Sequence, residues 1–162
     1  ILGPLTNPAG AKTYLLGVAD GSLVEKLALV LQHLGCRHAL VVHGEDGLDE
    51  ITVSGKTHIC ELKDTNIESY DVSPEDFGFS RASLNSLKGG DTKQNANQLR
   101  SILDGAQGPQ RDVVLMNAAA ALLAADKVET LPQGVALAKE VIDNGHALRK
   151  LEQLIEFSQS LS

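Results

Sequence analysis

The sequence has no tryptophan and few aromatic residues of any kind. Phe, Trp and Tyr together make up 3% of the 162 residues, so a hydrophobic core has to be built from Leu, Val, Ile and Ala. Long hydrophobic runs are also missing. The longest, over 113–125, is interrupted by Asn117 and is far shorter than the ~20 residues needed to cross a bilayer. No basic segment followed by an apolar stretch opens the chain, so no secretion signal is visible. These absences predict a cytoplasmic protein that does not insert into a membrane.

Cysteine is equally scarce. The only two, Cys36 and Cys60, form neither a disulfide framework nor a metal-type pair. Two interpretations remain open: two reduced, partly buried thiols, or one bridge between them. The first is favoured because nothing in the pattern requires a bridge.

Positive charge is in the minority. Lys and Arg number 14 against 21 Asp and Glu, which gives a net charge of −7. This balance argues against a surface that wraps nucleic acid or anionic lipid. The hydrophobic fraction of 43% and the charged fraction of 22% are typical of a folded globular domain. The chain begins at Ile1 and its single methionine is Met116, which we expect of a piece of a longer protein.

The order of local patterns predicts an α/β fold. Thr13–Val18 has a strand pattern. Ser22 and Glu25 have the spacing of a capping box at the start of a helix, and Gly35 is placed to end that helix. His38–His43 is a short apolar run typical of a buried strand. A strand, a helix and a second strand in this order predict a βαβ unit with parallel pairing.

The remaining sequence predicts two further regions. Short β patterns at Ile51–Val53, His58–Leu62 and Ile67–Tyr70 are separated by turn residues and indicate a small antiparallel meander. The last third has helical periodicity. We therefore expect one α/β domain over 1–162, with a mostly parallel sheet, a small antiparallel meander and a helical C-terminal third.

The densest chemical pattern is HGEDGLDE, over 43–50. Four of the six residues from 45 to 50 are acidic, and they follow the second buried strand. In open α/β sheets, ligands bind beyond the carboxyl ends of strands. Mg²⁺ usually takes one or two protein carboxylates and completes its shell with water and phosphate. The adjacent Asp49 and Glu50 have the right chemistry for this, although an acidic loop is also typical of a solvated surface turn.

Three other features have both a structural and a functional interpretation. Residues 1–10 contain two Pro and two Gly, which predicts an ordered turn or hinge rather than a helix. Its Gly3-Pro4 pair is either a rigid connector or a turn that lines a pocket. His43 is either a strand-end histidine bonded to backbone or a site residue. Asn117, inside an apolar helix, has to find polar partners, in a neighbouring loop or in a substrate.

Several of these segments together resemble one enzyme family. GPLTNPAG at 3–10, VVHGEDGLDE at 41–50, SPEDFG at 73–78 and the long segment 116–148 are similar to anthranilate phosphoribosyltransferases, in the same order along the chain. GPLTNP and HGxDGLDE are specific enough that we do not expect both in an unrelated α/β protein.

The resemblance implies an incomplete domain. The family has a small helical domain and a larger α/β domain, as in the pyrimidine nucleoside phosphorylases. Its Gly-rich diphosphate loop, its Lys-His-Gly-Asn segment and its anthranilate-binding Arg all precede GPLTNP. The chain therefore resembles the C-terminal part of the α/β domain, with 1–10 as the inter-domain segment, and we expect it to be inactive without the N-terminal half. The family's homodimer uses the small helical domain, so we do not expect that dimer to form through this chain.

The resemblance also implies a reaction and a site. Family members join anthranilate to 5-phosphoribosyl-1-diphosphate, release pyrophosphate and use Mg²⁺ in tryptophan biosynthesis. Asp49 and Glu50 match the acidic pair that holds Mg²⁺ against the diphosphate. Gly3 and Pro4 match the segment that flanks the anthranilate tunnel, and no catalytic residue is assigned. The alternatives are a nucleic-acid-binding paralogue of the same fold, which the charge of −7 disfavours, and an isolated structural fragment.

Overall fold

The computed structural model describes residues 2–161, and the side chains of Leu2 and Pro4 lie outside that description. Four strands form one sheet in chain order: β1 (Thr13–Gly17), β2 (His38–Gly44), β3 (Thr57–Lys63) and β4 (Asn66–Val72). β1 and β2 pair in parallel, with Gly17 opposite Val42. β2 with β3 and β3 with β4 pair antiparallel.

The α/β class and the meander are confirmed, but the sheet is mixed rather than mostly parallel. Parallel pairing is found where a helix connects the strands, between β1 and β2. β3 and β4 are separated by Asp64 and Thr65 alone. So short a connection permits only an antiparallel hairpin.

Helices follow the sheet, as the periodicity predicts. The α-helices are α1 (Leu2–Leu5), α2 (Val24–His33), α3 (Thr92–Leu103), α4 (Pro109–Ala124), α5 (Leu131–Asp143) and α6 (His146–Ser160). Short 3₁₀ helices lie at Gly21–Leu23, Pro74–Phe77 and Leu84–Leu87. In the part of the chain that the structure describes, no helix has both the length and the apolar character to cross a membrane.

Two local predictions near the N-terminus are wrong. α1 is a single helical turn inside the segment predicted as a non-helical hinge. Proline fits there because the first turn of a helix has N–H groups without helical acceptors. The Ser22 capping box does not form. Instead Asp20 accepts a hydrogen bond from the Ser22 N–H at 3.0 Å, and the Glu25 carboxylate accepts one from His58 at 2.7 Å.

Helices cover both faces of the sheet. Because strand side chains alternate, Val41 of β2 packs towards α2 while Leu40 and Val42 pack towards α4. Met116 of α4 is fully buried in that second cluster. Both cysteines are buried free thiols, which confirms the favoured interpretation. At the carboxyl ends of β1 and β2, Gly17 and Val42 contribute to the lining of a pocket.

Candidate functional site

The acidic stretch after β2 forms a compact turn. The Gly44 N–H donates to the Leu48 carbonyl at 2.8 Å, and the Gly47 N–H donates to the Gly44 carbonyl at 2.9 Å. Gly47 has φ +89°, a backbone conformation that residues with a Cβ rarely adopt. The turn brings Asp49 and Glu50 back to the end of the sheet.

Asp46 holds this turn together from inside. One carboxylate oxygen accepts from the Leu48 N–H at 3.0 Å. The other accepts from the Thr52 hydroxyl at 2.5 Å and from the Ser54 hydroxyl. Burial acts to raise the pKa of Asp46, but the hydrogen bonds from Ser54 and Thr52 outweigh it and lower the pKa. Asp46 is therefore an internal hydrogen-bond acceptor of the loop.

The predicted strand at Ile51–Val53 is wrong, and side chains take the place of a strand partner. The Ile51 N–H donates to Asn117 Oδ1 at 2.9 Å, and the Ile51 carbonyl accepts from Asn117 Nδ2 at 2.9 Å. The Thr52 N–H donates to Thr57 Oγ1 at 3.0 Å. The apolar β pattern reflects burial, since Ile51 and Val53 are 1% and 0% exposed. Asn117 therefore ties α4 to a loop, the first of its two interpretations.

Asp49 and Glu50 line an open pocket at the carboxyl ends of the two parallel strands. The pocket has a volume of about 390 Å³, and its lining residues are Leu15, Gly17, Val42, Asp49, Glu50, Val114 and Asn117. Gly17 is essential to its shape, because a Cβ there would lie 1.6 Å from the Asp49 carbonyl oxygen. The end of β1 thus supports the main chain of the acidic pair directly.

The electrostatics of this pocket favour a cation. Desolvation by burial, and then the neighbouring Asp49 charge, raise the pKa of Glu50 above its ordinary value. A divalent cation beside Glu50 would stabilise its charged form and so offset both effects. Within residues 2–161 no group of three or more His, Cys, Asp or Glu side chains forms a metal cluster. Two carboxylates beside an open volume fit Mg²⁺, which keeps several waters and binds substrate phosphate.

His43 does not line the acidic pocket. Its Nδ1 lies 2.8 Å from the Val18 carbonyl oxygen, so Nδ1 carries the proton and donates. A Cβ at Gly21 would lie 2.8 Å from the His43 ring, which places the ring against the 3₁₀ turn. The structure therefore supports the interpretation of a strand-end histidine bonded to backbone.

Gly3 and Pro4 are not brought to the acidic pocket within the described residues. Gly3 is exposed in α1, where its carbonyl accepts from the Thr6 N–H at 3.3 Å. The adjoining Leu5 packs on the α2 side of the sheet. The side chain of Pro4 lies outside the described part of the chain. Their role in substrate binding stays a prediction.

A second polar cavity, of about 240 Å³, lies at the start of α4. Its cation, Arg111, is 1% exposed and is already paired. One guanidinium nitrogen donates to Asp143 at 2.5 Å and another to the Gly105 carbonyl at 3.0 Å. This cavity offers less to a charged ligand than the acidic pocket, whose carboxylates are not paired in this way.

Sequence reasoning did not identify Gly17 and Asp46 as residues that shape the site. Gly17 ends a β run, a position where close backbone approach is common. Asp46 lies in the acidic loop, but sequence does not distinguish an acid bonded inside the loop from one facing the pocket. The polarity of Asn117 inside an apolar helix is a signal that the sequence does carry.

The chain is similar in sequence to proteins of known family. Residues 1–148 match the family described as "Glycosyl transferase family, a/b domain". The chain is 54% identical over 164 residues to the anthranilate phosphoribosyltransferase of Dehalococcoides mccartyi, covering 100% of this chain and 48% of that protein.

Solved structures show the same likeness. The anthranilate phosphoribosyltransferase of Thermus thermophilus has a TM-score of 0.88 and 43% identity over 96% of this chain and 46% of its own. The Saccharomyces cerevisiae enzyme in complex with PRPP and Mg has a TM-score of 0.88 and 28% identity over 99% of this chain and 46% of its own. Another yeast structure holds 4-fluoroanthranilate. The chain spans about half the length of the curated relatives that it matches.

Proposed function

The chain belongs to the glycosyl transferase family matched over residues 1–148, and on that premise we propose that it is part of an enzyme that transfers a phosphoribosyl group to anthranilate. The observation that carries this proposal is the acidic pocket. Asp49 and Glu50 stand at the carboxyl ends of the parallel strands, beside an open volume of about 390 Å³. The likeness to anthranilate phosphoribosyltransferases supports the choice of substrates.

In this proposal the two carboxylates hold Mg²⁺. When bound, Mg²⁺ supplies positive charge that offsets the charge of a diphosphate leaving group. Asp49 and Glu50 are consecutive residues, so one loop carries both carboxylates. Gly17 lies against the Asp49 carbonyl, and Asp46 forms hydrogen bonds inside the loop, so the main chain of the pair is held in place. Positioning of this kind contributes directly to catalysis.

The proposed reaction forms a bond from the anthranilate amine nitrogen to C1 of the ribose and breaks the bond from C1 to the diphosphate. The amine of anthranilate is a weak base and needs little deprotonation before it attacks. Positioning and electrostatics therefore contribute most of the rate. We assign this chain the carboxylates that neutralise charge through the cation, and no acid or base.

We propose further that residues 1–162 form one α/β unit that acts together with the remaining half of such an enzyme. The chain covers 48% of the Dehalococcoides mccartyi relative, and phosphate-binding elements of the family precede the GPLTNP motif. Gly3 and Pro4 would then lie in the segment that flanks the path of anthranilate. Resemblance of GPLTNP to the family supports this role.

The test is the double substitution Asp49→Ala with Glu50→Ala in the full-length enzyme. We expect loss of most activity and of its dependence on Mg²⁺, measured as rate against Mg²⁺ concentration at saturating substrates. Glu45→Ala is the matched control, because Glu45 is an exposed acid of the same loop that does not line the pocket. A double variant with unchanged Mg²⁺ kinetics would contradict the proposed function.

A further inference from the structure

One side chain of α4 holds the residue that follows the acidic pair. Asn117 Oδ1 accepts from the Ile51 N–H at 2.9 Å, and Asn117 Nδ2 donates to the Ile51 carbonyl at 2.9 Å. Nδ2 also donates to the Val113 carbonyl, one turn earlier in α4, at 2.9 Å. All three bonds are well within ordinary hydrogen-bond distance. A single amide therefore satisfies both main-chain polar groups of Ile51 and is itself anchored to its own helix.

Ile51 needs this partner because it is buried without belonging to a strand. Its side chain is 1% exposed, and its backbone makes no ladder bonds within the sheet. A buried N–H or carbonyl without a partner is unfavourable. The amide also fits in one orientation only, since the Ile51 N–H requires an acceptor and the Ile51 carbonyl requires a donor. The position of the main chain beside Glu50 is thus set by α4.

The opposite side of the same loop is blocked. The Asp49 carbonyl lies where a Cβ of Gly17 would be, 1.6 Å away, so the acidic pair cannot move further towards β1. Asn117 fixes the main chain of Ile51, two residues further along the same loop. Asn117 and Gly17 therefore hold Asp49 and Glu50 between them.

We propose that Asn117 is a positioning residue for the divalent-cation site: by holding the main chain of Ile51, it fixes where the carboxylates of Asp49 and Glu50 stand in the pocket. The inference rests on the proposed function, because it assigns the cation to those two carboxylates. Asn117 also lines the pocket, and the role assigned to it here acts through the main chain of Ile51 rather than through a bond to the cation. Outer partners of this kind typically change metal affinity by about 10–100-fold when removed.

The test compares Asn117→Leu with wild type in the full-length enzyme. Leucine has the branched shape of asparagine but forms no hydrogen bond. We expect the Mg²⁺ concentration for half-maximal rate to rise about 10–100-fold, while kcat at saturating Mg²⁺ falls by much less. A substitution that only lowered stability would reduce the amount of active enzyme, and with it the apparent kcat, without raising the Mg²⁺ concentration for half-maximal rate.

Asn95→Ala is the matched control. Asn95 makes the same two-way amide contact, accepting from the Gly90 N–H at 2.7 Å and donating to the Gly90 carbonyl at 3.1 Å. That contact lies at the start of α3, away from the pocket lining. We expect its loss to leave the Mg²⁺ dependence unchanged.

Asn117→Ser provides a second variant in case leucine prevents folding. A serine hydroxyl can donate to the carbonyl one turn earlier in its own helix, which preserves the bond to Val113, but it is too short to reach Ile51. The measurement here needs no turnover: Mn²⁺ and pyrophosphate are added to the full-length enzyme, and broadening of the amide signals of residues 49–51 is followed by NMR. We expect clear broadening in wild type and weaker broadening at the same Mn²⁺ concentration in the variant.

The outcomes separate the two proposals. Unchanged Mg²⁺ dependence in Asn117→Leu, or unchanged Mn²⁺ broadening in Asn117→Ser, overturns the role of Asn117 and leaves the proposed function intact. Unchanged Mg²⁺ dependence in the Asp49 and Glu50 double variant overturns the proposed function. If wild type shows no Mn²⁺ broadening at residues 49–51, both proposals fail.

Discussion

The two ends of β2 both carry clustered carboxylates, yet they use them differently. At the amino end, the fully buried His38 has Nδ1 2.8 Å from Asp126 and Nε2 2.9 Å from Glu61. Tyr70 donates its hydroxyl to Glu61 at 2.7 Å, and Arg37 pairs with Asp126. Each of these carboxylates is bonded to a donor from another part of the fold.

At the carboxyl end, Asp49 and Glu50 stand beside each other instead. Among the described residues, neither forms an ion pair with a Lys, Arg or His side chain within 4.0 Å. The pKa values of Asp126 at the amino end and Glu50 at the carboxyl end shift in opposite directions. The hydrogen bond from His38, and then that from Arg37, lower the pKa of Asp126, whereas burial, and then Asp49, raise the pKa of Glu50. The paired carboxylates hold the turn after α4 against the sheet, and the unpaired ones remain available to a ligand.

The largest expected effect comes from removing the histidine at the amino end. We expect His38→Leu to lower the free energy of unfolding by about 3 kcal/mol, because it removes the ring nitrogen that bonds the partly buried carboxylate of Glu61. Urea unfolding at neutral pH measures this. His33→Leu is the control: His33 is exposed on α2, and we expect a change within about 0.5 kcal/mol. Equal effects of the two substitutions would contradict the structural role of the amino-end cluster.

A smaller effect is expected at the carboxyl end from Gly17→Ala. The new Cβ would lie 1.6 Å from the Asp49 carbonyl oxygen, so the loop has to shift. We expect a loss of about 2 kcal/mol in the free energy of unfolding, together with weaker Mg²⁺ binding by the acidic pair. Gly3→Ala is the control for stability, since a Cβ at Gly3 meets no atom within 4 Å. A variant as stable as wild type, with its Mg²⁺ dependence intact, would show that the loop does not depend on β1.

The smallest effect is expected from Glu50→Gln, and it depends on pH. Because the folded state raises the pKa of Glu50 above its ordinary value of 4.5, the folded chain holds this proton more tightly than the unfolded chain. Wild-type stability should therefore fall as pH rises past 4.5 and through the raised pKa. Glu50→Gln lacks that loss, so it should be the more stable protein at neutral pH, by less than about 1 kcal/mol at so exposed a position.

Wild type and Glu50→Gln are also compared by thermal unfolding with and without Mg²⁺. A cation that binds the folded state stabilises it, so Mg²⁺ should raise the Tm of wild type more than that of Glu50→Gln. A Glu50→Gln variant that is less stable than wild type at neutral pH, or that responds equally to Mg²⁺, would show that the two ends of β2 do not differ in the way described.

Much of the fold was predictable because it follows from periodicity. The runs at 13–18 and 38–43 became β1 and β2 within one residue of their predicted ends, and helices follow the sheet as expected. The prediction of a strand at Ile51–Val53 was wrong because the apolar pattern there reflects burial, and a buried segment need not be a strand. Asn117, 66 residues away, supplies the hydrogen bonds that a neighbouring strand would have made.

The candidate site was predictable in part for a related reason. Asp49 and Glu50 stood out because four acids crowd into six residues directly after a buried strand. Gly17 did not stand out, since its importance comes from contact with a residue that is distant along the chain. Asp46 could not be separated from its acidic neighbours, because hydrogen bonds from Thr52 and Ser54 exist only once the loop has closed.

By itself the sequence determined the local elements, the parallel pairing across α2 and the acidic loop after β2, because these depend on neighbouring residues and on periodic burial. Only the tertiary structure decided which acids are paired and which are free. The partners of His38, Asp46 and Ile51 lie on other elements or across a closed turn, so their hydrogen bonds follow from three-dimensional packing rather than from spacing along the chain. The distinction between a carboxylate that is bonded within the fold and one that is left available to the proposed cation arises at that level.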